Sequence, residues 1–148
     1  MGAQLQDLLD RYDIERLCTA YVTALDERNW DRLADCFSDT GQLHTSLPER
    51  SLRGRRDIAR QMSGMAVPDG GVQHFTSNYQ YLVELDKASG SCSFLAYRWH
   101  GEAVSPIQSL VMGGTYRDTL KRGPDGWLFE ERHIVVHWHR GWVAPDSR

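Results

Sequence analysis

The chain has 148 residues, 41% of them hydrophobic and 25% charged, the composition of one folded domain with an ordinary core. A net charge of −3 without a basic stripe argues against a nucleic-acid groove, and the longest apolar runs, such as Ile134-Val135-Val136, are too short to span a bilayer. The opening Met-Gly-Ala-Gln-Leu-Gln-Asp has neither a charged n-region nor an apolar h-region, so a cytoplasmic location is expected. Cys18, Cys36 and Cys92 are odd in number and widely spaced, and are expected to be buried thiols. Fifteen aromatic side chains and six histidines are more than a core of this size needs.

Leu5, Leu8, Leu9 and Tyr12 lead into Ile14, Leu17, Cys18, Tyr21, Val22 and Leu25, one apolar face at helical spacing. That helix ends near Asp26-Glu27-Arg28-Asn29. A second helix is expected over 30–37, a turn over Ser38-Asp39-Thr40-Gly41, a short strand over 42–47, a loop over Pro48-Glu49-Arg50 and a third helix over 54–65. Pro68-Asp69-Gly70-Gly71 breaks the last of these. From Val72 onward the period falls from 3.6 to 2. Strands are expected over 72–85, 91–104, 108–121 and 127–138, separated by turn-forming runs. Helices first and an antiparallel meander after them define an α+β domain, its N-terminal helices packed into a strongly curved sheet with a cavity at the open end. Strands of this length need bulges or strong twist to stay in one sheet.

Asp26 falls at the rim of the helical apolar stripe and ends the helix, where the macrodipole disfavours a carboxylate; both features suit a general base or the partner of a histidine. In the strand over 72–85, His74, Thr76, Asn78 and Gln80 form a polar face opposite Phe75, Tyr79, Tyr81, Val83 and Leu85. Alternation alone leaves open whether that polar face meets solvent or lines a cavity. His133, His137 and His139 share one parity on the last strand, yet no carboxylate or cysteine stands at an obvious ligand spacing to them. No metal is therefore expected there. Tyr21, His44, Tyr97, Trp99, His100, Tyr116 and His137 are further candidates for pocket lining. Gly113-Gly114 inside a strand predicts a bulge or a close backbone approach. A Gly-x-Ser-x-Gly nucleophile elbow and the glycine-rich nucleotide motifs are missing from the sequence.

Tyr21 to Asp39 read in full, Gly54-Arg-Arg-Asp-Ile58, Gln73-His74-Phe75-Thr-Ser-Asn78, Gly114-Thr-Tyr116-Arg-Asp118, Asp125-Gly126-Trp127 and Glu131-Arg132 resemble, in order and spacing, the SnoaL-like group of the nuclear-transport-factor-like cone fold. Within it the pattern is most similar to scytalone dehydratase and bile-acid 7α-dehydratase. The resemblance implies that Tyr21, Asp26 and His74 line the cone and that the polar strand face carrying His74 is the cavity wall. It places His44, Tyr97, His100, Tyr116 and His137 toward substrate, and the aromatic Trp99 suits a flat ligand beside them.

The expectation is a lyase, cyclase or isomerase without cofactor or metal. An Asp26–His74 pair would move protons on a small hydrophobic substrate of polycyclic, aromatic or polyketide type, with Tyr21 able to return one. A small-molecule-binding module and the small subunit of a ring-hydroxylating dioxygenase are the alternatives. The family packs as homodimers or homotrimers through the outer face of the sheet, and neither nucleic acid nor membrane is expected as a partner.

Overall fold

The computed structural model describes residues 1–66, 68–101 and 110–141. Its first helix, α1 (Gly2–Asp26), buries Ile14, Cys18, Tyr21, Val22, Ala24 and Leu25, the face its spacing predicts. Burial of a large apolar side chain is worth about 1.5–3 kcal/mol, so this stripe is what holds the helix to the sheet. The N-terminal extension of the stripe differs: Leu5, Leu8, Leu9 and Tyr12 are 47–64% exposed. The carboxylate of Asp10 is the exception there, buried and gripped by Arg122 at 2.8 and 3.0 Å and by the indole N–H of Trp127 at 3.1 Å.

Helix α2 (Trp30–Asp35) starts on Asn29, whose side chain accepts from the Arg32 N–H at 3.1 Å. It is shorter than expected. Strand β1 (Phe37–Ser46) begins at once, and the expected turn at Ser38-Asp39-Thr40-Gly41 is an irregularity inside it: the pairing of β1 shifts between Phe37 and Gln42. Strand β2 (Glu49–Arg53) occupies the expected loop and pairs antiparallel with β1. Helix α3 (Arg55–Gly64) buries Ile58 and Ala59.

Four long strands follow: β3 (Gly70–Glu84), β4 (Lys87–His100), β5 (Leu110–Gly123) and β6 (Gly126–Arg140). The run from Asp86 to Gly90, expected as a turn, is mostly strand; the reversal takes only Leu85 and Asp86, with Leu85 at φ 57°. The sheet order is β2-β1-β6-β5-β4-β3, antiparallel throughout except where β1 runs parallel to β6. The result is the expected α+β architecture, helices packed against a curved six-stranded sheet.

Bulges re-aim side chains in two of the long strands, β3 and β6. The β3–β4 register slips between Ser77 and Gln80, and Asn78 sits at φ 56°. The slip reverses the parity of β3. His74 and Thr76 share the inner face with Tyr79, Tyr81 and Val83, while Phe75, on the expected aromatic stripe, is 52% exposed outside. The β5–β6 register slips at Gly113-Gly114. There a Cβ on Gly114 would collide with the Val135 carbonyl, and one on Gly113 would meet the Trp138 ring, so both expected causes hold.

The core behind α1 contains a buried charge. Arg132 is fully buried and donates to both carboxylate oxygens of Asp118 at 2.8 Å, and Tyr81 donates to the same carboxylate at 2.6 Å. The rings of Tyr21, Tyr116 and Phe129 lie within 4.0–4.5 Å of its guanidinium carbon. Cys18, Cys36 and Cys92 are free and buried, as expected.

Candidate active site

Asp26 is the last residue of α1. Glu27 closes the helix and Arg28 follows at φ 57°, its guanidinium donating to the Gly70 carbonyl at 2.8 Å. This ties the end of α1 to the first residue of β3 and sets Asp26 opposite His74. The carboxylate then makes two contacts with one residue: Oδ2 accepts from the His74 backbone N–H at 3.0 Å, and Oδ1 lies 2.6 Å from Nδ1 of its ring. Both side chains are largely sheltered, 23% and 13% exposed. A carboxylate on Nδ1 holds the hydrogen there and leaves the lone pair on Nε2, so the ring has a fixed orientation and a free basic nitrogen.

His74 opens on a cleft of about 490 Å³, its open mouth included. Leu25, Trp30, Met62, Met65 and Val72 make most of its wall, and two guanidinium groups, Arg28 and Arg98, border it. The lining is mostly apolar with a few polar groups, the usual make-up of a small-molecule site.

The other expected lining residues lie elsewhere. Tyr21 is fully buried in mid-helix, edge-on to Phe37, Tyr116 and Phe129 at 5.7–6.0 Å, and its hydroxyl has no hydrogen-bond partner among the described residues. Burial pushes this phenol well above its ordinary pKa. Tyr116 is 2% exposed and stacked on Phe94 at 4.4 Å. Both are core residues around Arg132.

Strand parity moves the rest away from the cleft. On β4 the buried inner residues are Cys92, Phe94 and Ala96, so Tyr97 points outward, 39% exposed and edge-on to Phe75 at 6.1 Å. Trp99 shares that parity and packs its indole over Gly71, and His100 is exposed at the strand end opposite Gly70. His137 falls in the β6 irregularity, exposed and 3.0 Å from the Thr115 hydroxyl. His44 neighbours the fully buried Leu43 and therefore faces the other way.

On that outer side His44 stacks on His133 at 4.5 Å, between Ser51, 2.8 Å from its Nδ1, and Glu131. Glu131 Oε1 lies 2.6 Å from His133 Nε2 and 3.1 Å from His44 Nε2. The expectation that no carboxylate stands near these histidines is thus corrected. Glu131 is two residues from His133, and the parallel pairing of β1 with β6 brings His44 alongside. The donor atoms of the three residues lie within 4.8 Å of one another.

Sequence reasoning missed Arg98, Arg28, Trp30, Met62 and Met65. For Arg98 a signal existed. Cys92, Phe94 and Ala96 alternate as small or apolar residues toward the core, and Arg98 continues that parity into the cleft. The Arg132–Asp118 pair carried no such mark, since a charged pair on a strand normally signals a solvent face.

A helix-lined cleft at the mouth of a curved sheet, with an Asp–His pair at its edge, defines a cone-fold pocket protein. The family model of the SnoaL-like domain matches residues 6–133, and the chain belongs to that family. Its fold is the nuclear-transport-factor-like cone. A candidate scytalone dehydratase from Novosphingobium aromaticivorans is similar over 96% of both chains, with a TM-score of 0.82 and 21% identity. A hexachlorocyclohexane dehydrochlorinase, LinA type 2, is similar over 98% of this chain and 99% of its own, with a TM-score of 0.79 and 19% identity. ActVI-ORFA from Streptomyces coelicolor is similar over 85% of this chain and 96% of its own, with a TM-score of 0.69 and 18% identity. At these identities the likeness shows the fold. No curated protein matches the chain in sequence. No helix among the described residues is long and apolar enough to cross a membrane.

Proposed function

We propose that the chain is a cofactor-independent lyase, cyclase or isomerase in which the Asp26–His74 pair transfers protons on a small hydrophobic substrate. The observation that carries this reading is the double contact of Asp26 with His74 at 3.0 and 2.6 Å, beside an apolar cleft. His74 Nε2 removes a proton α to a carbonyl, and Asp26 stabilises the imidazolium that forms. The same imidazolium then returns the proton to a leaving hydroxyl, which completes a dehydration, or to a carbon or oxygen of the enolate, which completes an isomerisation or ring closure. Similar folds whose names denote a candidate scytalone dehydratase and a dehydrochlorinase support elimination chemistry for this pocket type. A binding module has no need of a carboxylate that fixes one histidine tautomer, so the pair favours an enzyme.

The test is turnover of β-hydroxy ketones and polyketide-type intermediates by the native chain, His74→Ala and Asp26→Asn, with product masses recorded. Loss of one water identifies a dehydratase, and unchanged mass identifies an isomerase or cyclase. Normal turnover by a folded His74→Ala variant would sink the reading.

Self-association as a homodimer or homotrimer is also proposed. It would use the outer sheet face, where Phe75, Leu95, Tyr97 and Trp138 are 38–52% exposed.

A further inference from the structure

We propose that Arg98 is the anchor for a carboxylate on the substrate, so that the cleft takes an apolar acid rather than a neutral hydrocarbon-like ligand. This rests on the cleft being the substrate site and names the class of molecule that fills it.

Arg98 stands on the inner parity of β4, after Phe94 and Ala96, and opposite Val72 in the β3–β4 ladder. His74 pairs with Ala96 in the same ladder. Arg98 and His74 are therefore diagonal neighbours on one face, with Cα atoms about 7–8 Å apart. Both line the same cleft.

Three observations mark this guanidinium as awaiting an anion. First, it makes no hydrogen bond or ion pair with any described residue, unlike Arg132 with Asp118 or Arg122 with Asp10. Second, it is half-buried, and burial lowers its affinity for its proton, with no carboxylate among the described residues opposing that effect. Third, the cleft lining contains Arg28, Arg98 and His74 but no acidic residue among the described residues. Asp26 is engaged with His74 through both oxygens. A cation removed from water without a counter-ion is costly. The cost is recovered when a ligand brings the carboxylate, since the planar fork of Arg matches two carboxylate oxygens.

The geometry then orders the ligand. Its carboxylate sits on Arg98, its body lies against Met62, Met65 and Trp30, and a carbon a few bonds from the carboxylate faces His74 Nε2. Positive charge beside that carbon also lowers the cost of the enolate formed when the proton leaves.

The test is equilibrium binding, which needs no turnover. Naphthalene-2-carboxylate and cyclohexanecarboxylate are titrated against their primary amides by calorimetry, into the native chain, Arg98→Gln, Arg98→Lys and His74→Ala. The native chain should prefer each acid to its amide by about 10- to 100-fold, the worth of a hydrogen bond to a charged group. Arg98→Gln should remove that preference by weakening acid binding more than amide binding, and Arg98→Lys should keep part of it. His74→Ala should retain the preference, so a dyad that proved inactive in turnover would leave this result standing. Equal binding of acid and amide by the native chain, binding of neither, or a preference that survives Arg98→Gln would each overturn the proposal.

Discussion

Asp26 and His74 are 48 residues apart in the chain, yet the carboxylate of one holds both the backbone N–H and the ring Nδ1 of the other. The backbone contact matters as much as the ring contact. It fixes the strand to the helix end, so the imidazole cannot drift when the ring is charged. It also gives a carboxylate at a helix C-terminus a donor to offset the unfavourable dipole.

Because the two residues act as one unit, their substitutions should not add. Asp26→Asn and His74→Ala are each expected to lower kcat by about 10²–10⁴-fold. The double variant should be no slower than His74→Ala alone within a few-fold. Steady-state kinetics of the three variants checks this, with circular dichroism to establish folding. Fully multiplicative losses would mean that the two residues act independently.

Tyr21 is placed as core, and its hydroxyl is buried without a partner. Removing an unsatisfied buried hydroxyl removes its desolvation cost. Tyr21→Phe should therefore match or exceed the native chain in urea stability and keep its turnover. Tyr21→Ala should lose about 3–5 kcal/mol through the cavity it opens among Phe37, Tyr116 and Phe129. A Tyr21→Phe variant that is stable but inactive would return the tyrosine to the chemistry.

The Arg132–Asp118 pair is fully buried on both sides. Removing one partner strands the other charge, so Arg132→Met should cost about 3–5 kcal/mol. Asp118→Leu added to Arg132→Met should recover a substantial part, because the stranded carboxylate is then gone. Urea melts of the single and double variants measure this coupling. Additive losses would show that packing against the surrounding rings, not charge, dominates.

Arg122 holds the Asp10 carboxyl below its ordinary value of 3.8, with the Trp127 N–H and Gln6 assisting against the opposing effect of burial. A lowered folded-state pKa contributes stability that is fully present above the unfolded value. It is lost as pH falls through the folded value. Asp10→Asn should therefore be less stable than the native chain at neutral pH, and the gap should narrow in acid below about 3.8. Thermal melts from pH 7 to pH 2.5 check the sign. A gap that widened in acid would contradict it.

Phe75 and Trp138 lie on the proposed association face. Phe75→Glu with Trp138→Glu should reduce the solution mass to that of one chain, measured by sedimentation equilibrium. The cleft on the opposite face should be unaffected. A native chain already monomeric at working concentration would remove this proposal.

The helices and strands were legible in the sequence because each buries one face, and the change from a period of 3.6 to one of 2 records which faces those are. Asp26 and His74 were legible for the same reason: a carboxylate at the rim of an apolar stripe and a histidine on a polar strand face break an otherwise regular pattern. The rest of the site was not. Which face of a strand meets the cavity depends on bulges and on pairing register, and Asn78 reverses parity inside a single strand. That reversal separates Phe75 from Tyr79 and Tyr81, which the sequence puts on one stripe. Similarly, Tyr97 and Arg98 are neighbours in the chain, and only the inward parity of Phe94 and Ala96 decides that the arginine, not the tyrosine, enters the cleft. Local alternation by itself determined the class of fold and marked Asp26 and His74 as breaks in the pattern; that they meet at one cleft came first from the family resemblance. Long-range pairing decided the wall around them, because side-chain direction on a curved sheet is a property of the ladder and not of the strand.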